Sequence, residues 1–508
     1  MPGTIRRTFA CLAIACALPL AAGAPKPPNI VFILADDLDS AAAARMPLVR
    51  QYISDVGTSF DRHFVSLSLC CPSRVTTLRG QFAHNTGVYS NGSPNHNKPP
   101  TGGFEYVYAH ALETSTVATW LRQAGYRTAL FGKYLNGYPD TAPAMYIPPG
   151  WMQWSSPVDG DPYEEFNYTL NTNGKAETYG DDARSYLTDV LSRKAVRFIE
   201  DARDVPDKPF FLYLAPYAPH YPATPAPRHE HAFKGIEAPR VPSFNEHNVQ
   251  DKPKWVRRKP LLDPAQIGGI DKLYEHRRES LLAVDEMVRD VVEALDATGQ
   301  LANTYVFFAS DNGYHQGQHR LLSGKDTGYE EDLIVPLMVR GPGVPIGTVE
   351  AMTANVDYAS TFAEIAGIAP GLDVDGRSLM PFLKGQAPKT WRQVLLLEHK
   401  TVNDKQDRSV EKTREPSDPF DDVDNGIKPF YGLRLADGRT YIEYTENRDC
   451  EIYLPSDTYQ ENNVCSRGKG DQPALSRWLA CLEELAGEDM RQAELGPGFC
   501  ERPRPRKQ

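Results

Sequence analysis

Five short apolar runs, separated by much longer stretches of helical patterning, constrain the fold of this 508-residue chain more than any other feature. They are Asn29 to Ala35, Arg127 to Phe131, Pro209 to Leu214, Thr304 to Ala309 and Val335 to Val339. Continuous apolarity in place of strict alternation marks strands covered on both faces, as in a parallel sheet. The clearest helical pattern places Leu281, Val284, Val288, Val291 and Leu295 on one face, with Gly299 just beyond as a stop. Alternating strands and helices predict an α/β sandwich with a large, mostly parallel central sheet. Ligands of such a sheet gather where the carboxyl ends of strands run into loops.

The rest of the chain divides around that frame. Pro222 to Pro260 is rich in proline, charge and histidine without periodicity and reads as a long excursion near the site mouth. Lys400 to Lys428 is polar and loop-like. Tyr431 to Tyr444 alternates around Ala436-Asp437-Gly438 and predicts a hairpin, and Leu475 to Leu485 predicts a helix. The expected organisation is a leader over 1–24, a main domain over 25–390 and a smaller α+β region over 391–508.

The leader is Arg6-Arg7, an apolar run from Thr8 to Leu20, then Ala22-Gly23-Ala24, which is the form of a signal peptide and implies a secreted or periplasmic protein. Arg6-Arg7-Thr8-Phe9 partly matches a twin-arginine signal. The run is shorter than the roughly 20 apolar residues a span requires, so no stable membrane span is expected; a retained anchor is the alternative. A net charge of −11 with dispersed lysine and arginine argues against nucleic acid as a partner. Cys450, Cys465, Cys481 and Cys500 crowd the C-terminus, where short loops favour Cys450–Cys465 with Cys481–Cys500 in an oxidising compartment. Zinc binding is the alternative, without C-x-x-C spacing to support it.

Two acidic clusters follow predicted strands. Asp36-Asp37 comes directly after Ile33-Leu34-Ala35, and Asp311-Asn312-Gly313 follows Tyr305 to Ala309. Adjacent carboxylates at a strand end repel unless a cation sits beside them, and a solvated turn with a helix cap is the alternative. A set of oxygen ligands suits Ca²⁺ first and Mg²⁺ second, and zinc much less.

The run Cys70-Cys71-Pro72-Ser73-Arg74, followed by Leu78 and Gly80, resembles the signature of the formylglycine-dependent sulfatases. Taken alone it is also a plausible helix start with a buried thiol. Other sulfatase motifs follow in family order from about Asn29 to about Gly385. The resemblance implies an alkaline-phosphatase-like fold and oxidation of Cys70 to formylglycine by a formylglycine-generating enzyme during maturation. The aldehyde hydrate then supplies one hydroxyl to attack sulfur and a second to expel sulfate. It also implies that Asp36, Asp37, Asp311 and Asn312 bind the ion together with residue 70, and that Arg74 orients the hydrate. Lys133 in Gly132-Lys133 and Lys325 in Ser323-Gly324-Lys325 match the lysines that contact sulfate. His220 in Ala218-Pro219-His220 matches the histidine placed near the bridging oxygen, where it protonates the leaving alcohol.

One position departs from the pattern. Many sulfatases carry a histidine base two residues after the lysine matched by Lys133, and here Leu135 stands there. His315 and His84 are the candidates to replace it, with structural roles as the alternative for each. The motifs Gly132-Lys133-Tyr134-Leu135-Asn136, Pro148-Pro149-Gly150-Trp151 and Asp311-Asn312-Gly313-Tyr314-His315 look like the branch holding N-acetylglucosamine-6-sulfatases and heparan 6-O-endosulfatases. His315-Gln316-Gly317-Gln318-His319-Arg320-Leu321 is similar to fungal and algal arylsulfatases. A sulfated sugar is the substrate this implies. A phosphonate or phosphate ester hydrolase of the same superfamily is the first alternative, and a catalytically dead secreted carbohydrate-binding protein the second.

Overall fold

The computed structural model describes residues 3, 26–92, 102–400, 426–446 and 449–501. Gly3 apart, the leader expected over 1–24 lies outside the described residues, as does most of the polar segment Lys400 to Lys428. In chain order the strands begin with β1 (Asn29–Ala35), β2 (Thr58–Phe60), β3 (His63–Phe64), β4 (Arg127–Gly132), β5 (Gln153–Gly160) and β6 (Tyr168–Thr172). Next come β7 (Lys175–Tyr179), β8 (Phe210–Ala215), β9 (Thr304–Ser310), β10 (His315–Gln316), β11 (Ser323–Gly324) and β12 (Leu337–Arg340). The last are β13 (Gly347–Val349), β14 (Thr353–Ala354), β15 (Val394–His399), β16 (Phe430–Leu435), β17 (Thr440–Tyr444) and β18 (Cys450–Tyr453).

Ten of these strands build one sheet in the order β13-β2-β12-β9-β1-β8-β4-β5-β6-β7. Its centre, β9-β1-β8-β4-β5, is parallel throughout. The flanks are not. β12 runs antiparallel to both β9 and β2, and β6 and β7 extend the other side antiparallel, so the sheet is mixed. The Val335 to Val339 run, read as a parallel strand, thus forms an antiparallel one beginning at Leu337. Apolar continuity reports burial on two faces and carries no information on direction.

Alternate side chains of β1 enter two different cores. Ile30, Phe32 and Leu34 pack with Val75, Leu121 and Phe362 on one face; Val31, Ile33 and Ala35 pack with Leu281, Val284, Val288, Val291 and Leu295 on the other. The second group is the predicted helical stripe, carried by the helix Pro264–Ala297. Asp263 caps that helix by accepting from the Ala265 and Gln266 amides, Pro264 suits its first turn, and Gly299 follows its end at φ 70°. Each large aliphatic side chain buried there contributes roughly 1.5–3 kcal/mol.

After residue 390 a four-stranded antiparallel sheet, β15-β16-β17-β18, packs with the helix Gln472–Leu482 in a third core that also takes in Leu321 and Tyr329. Disulfides join Cys450 to Cys465 and Cys481 to Cys500. Between 222 and 260 the one regular element is the short helix Lys254–Arg257. No helix among the described residues is long and apolar enough to cross a membrane.

Candidate active site

The carboxyl ends of four neighbouring parallel strands converge on one point. β1 ends at Ala35 and releases Asp36 and Asp37; β9, in register with it at Ser310, releases Asp311 and Asn312. β4 ends at Gly132 and releases Lys133, while β8 ends at Ala215 and leads through Ala218-Pro219 to His220. All four of the oxygen-bearing residues are fully or almost fully buried. Asp37 sits in the left-handed region at φ 62°, which costs a non-glycine residue roughly 1–2 kcal/mol. Its amide donates to Asp311 Oδ1 at 3.1 Å, tying the two acidic clusters together.

The helix Cys70–Arg79 brings its first turn to the same point and stops at Gly80, whose φ of 67° forms a left-handed cap. Ser73 Oγ donates to the Asp311 carbonyl at 2.5 Å and accepts from Asn355 Nδ2 at 2.9 Å, fixing the helix against the metal-side loop. Arg74 Nε donates to Asp311 Oδ2 at 2.7 Å and Nη1 to the Lys133 carbonyl at 3.0 Å. Cys70 Sγ lies 3.5 Å from Asp36 Oδ1, 3.7 Å from Asp37 Oδ1 and 2.9 Å from Lys325 Nζ.

Cations alternate with these acids. Lys133 Nζ donates to Asp36 Oδ2 at 2.5 Å, and Lys325 Nζ to Asp37 at 2.7 and 2.9 Å. His220 Nδ1 pairs with the Tyr221 carbonyl at 2.8 Å, which as a hydrogen bond makes Nδ1 the donor and turns Nε2 toward Asp37, 3.5 Å away. Burial pushes the Asp36 carboxyl up, but Lys133, His220, Arg74 and Lys325 together outweigh it and hold Asp36 below the usual range. At Asp311 burial prevails over Arg74, and the carboxyl is raised to about 6. Burial also raises the Cys70 thiol well above its ordinary value in spite of Lys133 and Lys325. An unmodified thiol here is therefore a poor nucleophile.

These residues fit a hard divalent cation. Asn312 Nδ2 donates to Asp37 Oδ1 and to the Gly313 carbonyl, yet Asn312 Oδ1 is buried without a hydrogen-bond partner. An orphaned oxygen of that kind costs about 1–3 kcal/mol unless a cation takes it. Ligand atoms of Asp36, Cys70 and Asp311 lie within 4.8 Å of one another, as do those of Asp37, Cys70 and His220. The donor set is oxygen-rich, as a hard divalent cation prefers.

The two histidines offered as replacements for the one missing at Leu135 separate. His315 lies in the ribbon β10-β11 opposite Gly324, next to Lys325, and its Nδ1 meets Asp332 at 2.9 and 3.0 Å. Asp332 in turn accepts from the Thr327 amide and hydroxyl, at 3.0 and 2.6 Å. His84 is instead held by the C-terminal region: Nδ1 meets Glu398 at 2.9 Å and Nε2 the Leu485 carbonyl at 2.8 Å. Burial alone would lower its pKa, but the Glu398 bond and charge raise it to about 9. With both ring nitrogens engaged by Glu398 and the Leu485 carbonyl, the geometry favours a structural role for His84 over the base or substrate contact expected from the sequence. Asp332, Tyr163 and Tyr217 adjoin the site residues without having been read from the sequence. Asp332 is one acid in Glu330-Glu331-Asp332, and neither tyrosine lies in a recognisable motif.

The family model for sulfatases matches residues 28–368. The N-acetylglucosamine-6-sulfatase of Capra hircus is 33% identical over 506 residues, covering 94% of this chain and 88% of that protein. The Homo sapiens N-acetylglucosamine-6-sulfatase is 37% identical over 390 residues, covering 75% and 68%. The solved structure of BT4656 in complex with its substrate D-glucosamine-2-N,6-O-disulfate superposes with a TM-score of 0.69 at 23% identity, over 94% of this chain and 100% of that one. The α/β sandwich is the alkaline-phosphatase-like one, and the chain belongs to the sulfatase family. It is a sulfuric ester hydrolase, of a family that works with a metal ion and a formylglycine.

Proposed function

We propose that this sulfatase removes a 6-O-sulfate from an N-acetylglucosamine-type sugar, using formylglycine at residue 70 and Ca²⁺. The contact of Cys70 Sγ with Lys325 Nζ at 2.9 Å, among Asp36, Asp37 and Asp311, carries the catalytic part of the reading. Identity of 37% to the human N-acetylglucosamine-6-sulfatase supports the sugar. Asp36, Asp37, Asp311, Asn312 and residue 70 would hold the ion, with Mg²⁺ as second choice. Once bound, it neutralises sulfate charge and polarises an S–O bond, while the formylglycine hydrate supplies the attacking and expelling hydroxyls.

The chain's own side chains do the rest. Arg74, fixed by Asp311 and the Lys133 carbonyl, holds residue 70 in line. Lys133 and Lys325 take sulfate oxygens and oppose the charge that builds in the transition state. His220 presents Nε2 and gives a proton to the leaving alcohol oxygen. His315, its Nδ1–H held by Asp332, removes a proton from the residue-70 hydroxyl, the task that Leu135 cannot perform. Export through the 1–24 leader to a secreted or periplasmic location, and maturation by a formylglycine-generating enzyme, complete the reading, with 391–508 as a smaller α+β subdomain that carries the disulfide-stapled tail.

Peptide mass spectrometry across Cys70, with elemental analysis of the same active protein, tests it. The expected result is an aldehyde at residue 70, one divalent ion that is calcium or magnesium, and no turnover in Cys70→Ala. Full activity of Cys70→Ala on an aryl sulfate, or zinc in the active protein, would sink it.

A further inference from the structure

We infer that Tyr163 and Tyr217 form an aromatic cradle that positions the Lys133 ammonium and the His220 imidazole for sulfate, replacing the surroundings that a histidine at position 135 would have provided. The inference rests on the reading of Lys133 as a sulfate contact.

The Lys133 Nζ lies 5.1 Å from the centroid of the Tyr163 ring and 5.7 Å from that of Tyr217. The two rings meet edge to face at 4.8 Å and 87°, so each fixes the other. The Tyr163 ring also lies 4.7 Å from the His220 ring, tilted by 55°. One aromatic side chain thus touches both the ammonium that would grip sulfate and the imidazole that would protonate the leaving group.

An ammonium in this position has a specific difficulty. Lys133 is only 2% exposed, and its one carboxylate partner among the described residues is Asp36, which the metal site also claims. A second carboxylate would anchor the lysine but would compete with sulfate for its remaining N–H groups. An aromatic face attracts the cation without accepting directional hydrogen bonds, so the charge is held while the donors stay aimed at an anion. Lys133, Leu135, Asn136, Ser156, Tyr163 and Tyr217 line one small cavity. The Tyr217 phenol is no substitute base, since burial raises its hydroxyl further above the ordinary phenol value.

Tyr163 comes from the short turn Pro162–Glu164 between β5 and β6, and Tyr217 from the loop after β8. The antiparallel extension of the sheet therefore reaches the site, although its strands carry none of the family's motifs.

The test uses the full-length, formylglycine-bearing enzyme on an aryl sulfate. Tyr163→Leu should lower kcat/KM about tenfold, and Tyr163→Phe should restore it to within about threefold, because the ring and not the hydroxyl is the active part. In a Lys133→Ala background Tyr163→Leu should cost well under tenfold, because only its contact with His220 remains, a result that mere packing would not give. A second tenfold loss in that background, or Tyr163→Phe as impaired as Tyr163→Leu, would overturn the cradle. If Tyr163→Leu does not fold, Tyr217→Leu and Tyr217→Phe carry the same comparison, with divalent-ion content and unfolding midpoint measured for every variant. Wild-type kcat/KM in Lys133→Ala would instead remove the sulfate role of Lys133. An impaired Lys133→Ala beside an intact Tyr163→Leu and Tyr217→Leu sinks the cradle alone.

Discussion

His84 and His315 differ in what their ring nitrogens face, and that difference separates stability from catalysis. His84 bonds Glu398 and the Leu485 carbonyl, so folding raises its pKa from 6.5 to about 9. A group whose folded pKa is raised stabilises fully below its unfolded value and loses that contribution as pH climbs through the folded one. The unfolding free energy should therefore fall between about pH 6.5 and 9 by on the order of 2–3 kcal/mol from this residue, and His84→Gln should flatten the change. Denaturant melts at several pH values check it; an unchanged slope in His84→Gln would show that the pair is not linked to folding. In the sequence both histidines follow a motif at short range, and only the loop that His315 shares with Asp311 and Asn312 puts it ahead of His84. What parts them is a contact across more than three hundred positions, from His84 to Glu398 and Leu485, which no local pattern encodes.

At the scale of elements, the site depends on how closely β4 and β8 approach. Gly132, the last residue of β4, has φ 110°, and a Cβ placed there would lie 1.9 Å from the Ala215 carbonyl oxygen of β8. Gly132→Ala should cost about 2–4 kcal/mol from strain and the forced separation of the strands. It should also lower kcat/KM by more than the folded fraction accounts for, because Lys133 is the next residue. Chemical denaturation and steady-state kinetics on the same variant check both parts. The buried strands, the long helix, the hairpin after residue 430 and both disulfides were legible because apolar runs, turn residues and short cysteine loops act locally. The β5 to β7 extension was not. β5 reads Gln153-Trp154-Ser155-Ser156-Pro157-Val158-Asp159-Gly160, with a proline at a register shift, and β7 is a half-exposed edge without an apolar run. Tyr163 was hidden with it.

On the scale of the whole molecule, the C-terminal region reaches the loops at the strand ends. Asp326, the residue after Lys325, bonds His399 at the end of β15 at 2.9 Å, so the C-terminal region touches the loop that carries a proposed sulfate lysine. A kinetic panel reads substrate choice: kcat/KM should be highest for a 6-O-sulfated glucosamine derivative, lower for galactose 6-sulfate and lowest for choline sulfate. An aryl phosphate should rank below the aryl sulfate, since the phosphate monoester is a dianion and the sulfate monoester a monoanion. Choline sulfate or the phosphate in first place would overturn the assignment. The motif residues at the strand ends were readable because each follows an apolar run directly. The identity of the sugar was not, because no motif at the strand ends touches the part of a substrate beyond its sulfate.

The complete burial of Cys70 orders events in the life of the protein. In the finished fold no catalyst can grip the peptide around it, since Ser73 and Arg74 are locked to Asp311 and the helix is buried from Cys70 to Leu78. Under the proposed maturation, oxidation of residue 70 has to be finished while this stretch is still an open ribbon, before β9 arrives from more than two hundred residues downstream. A copy that closed first would be sealed in its silent form, and only unfolding would give it a second chance.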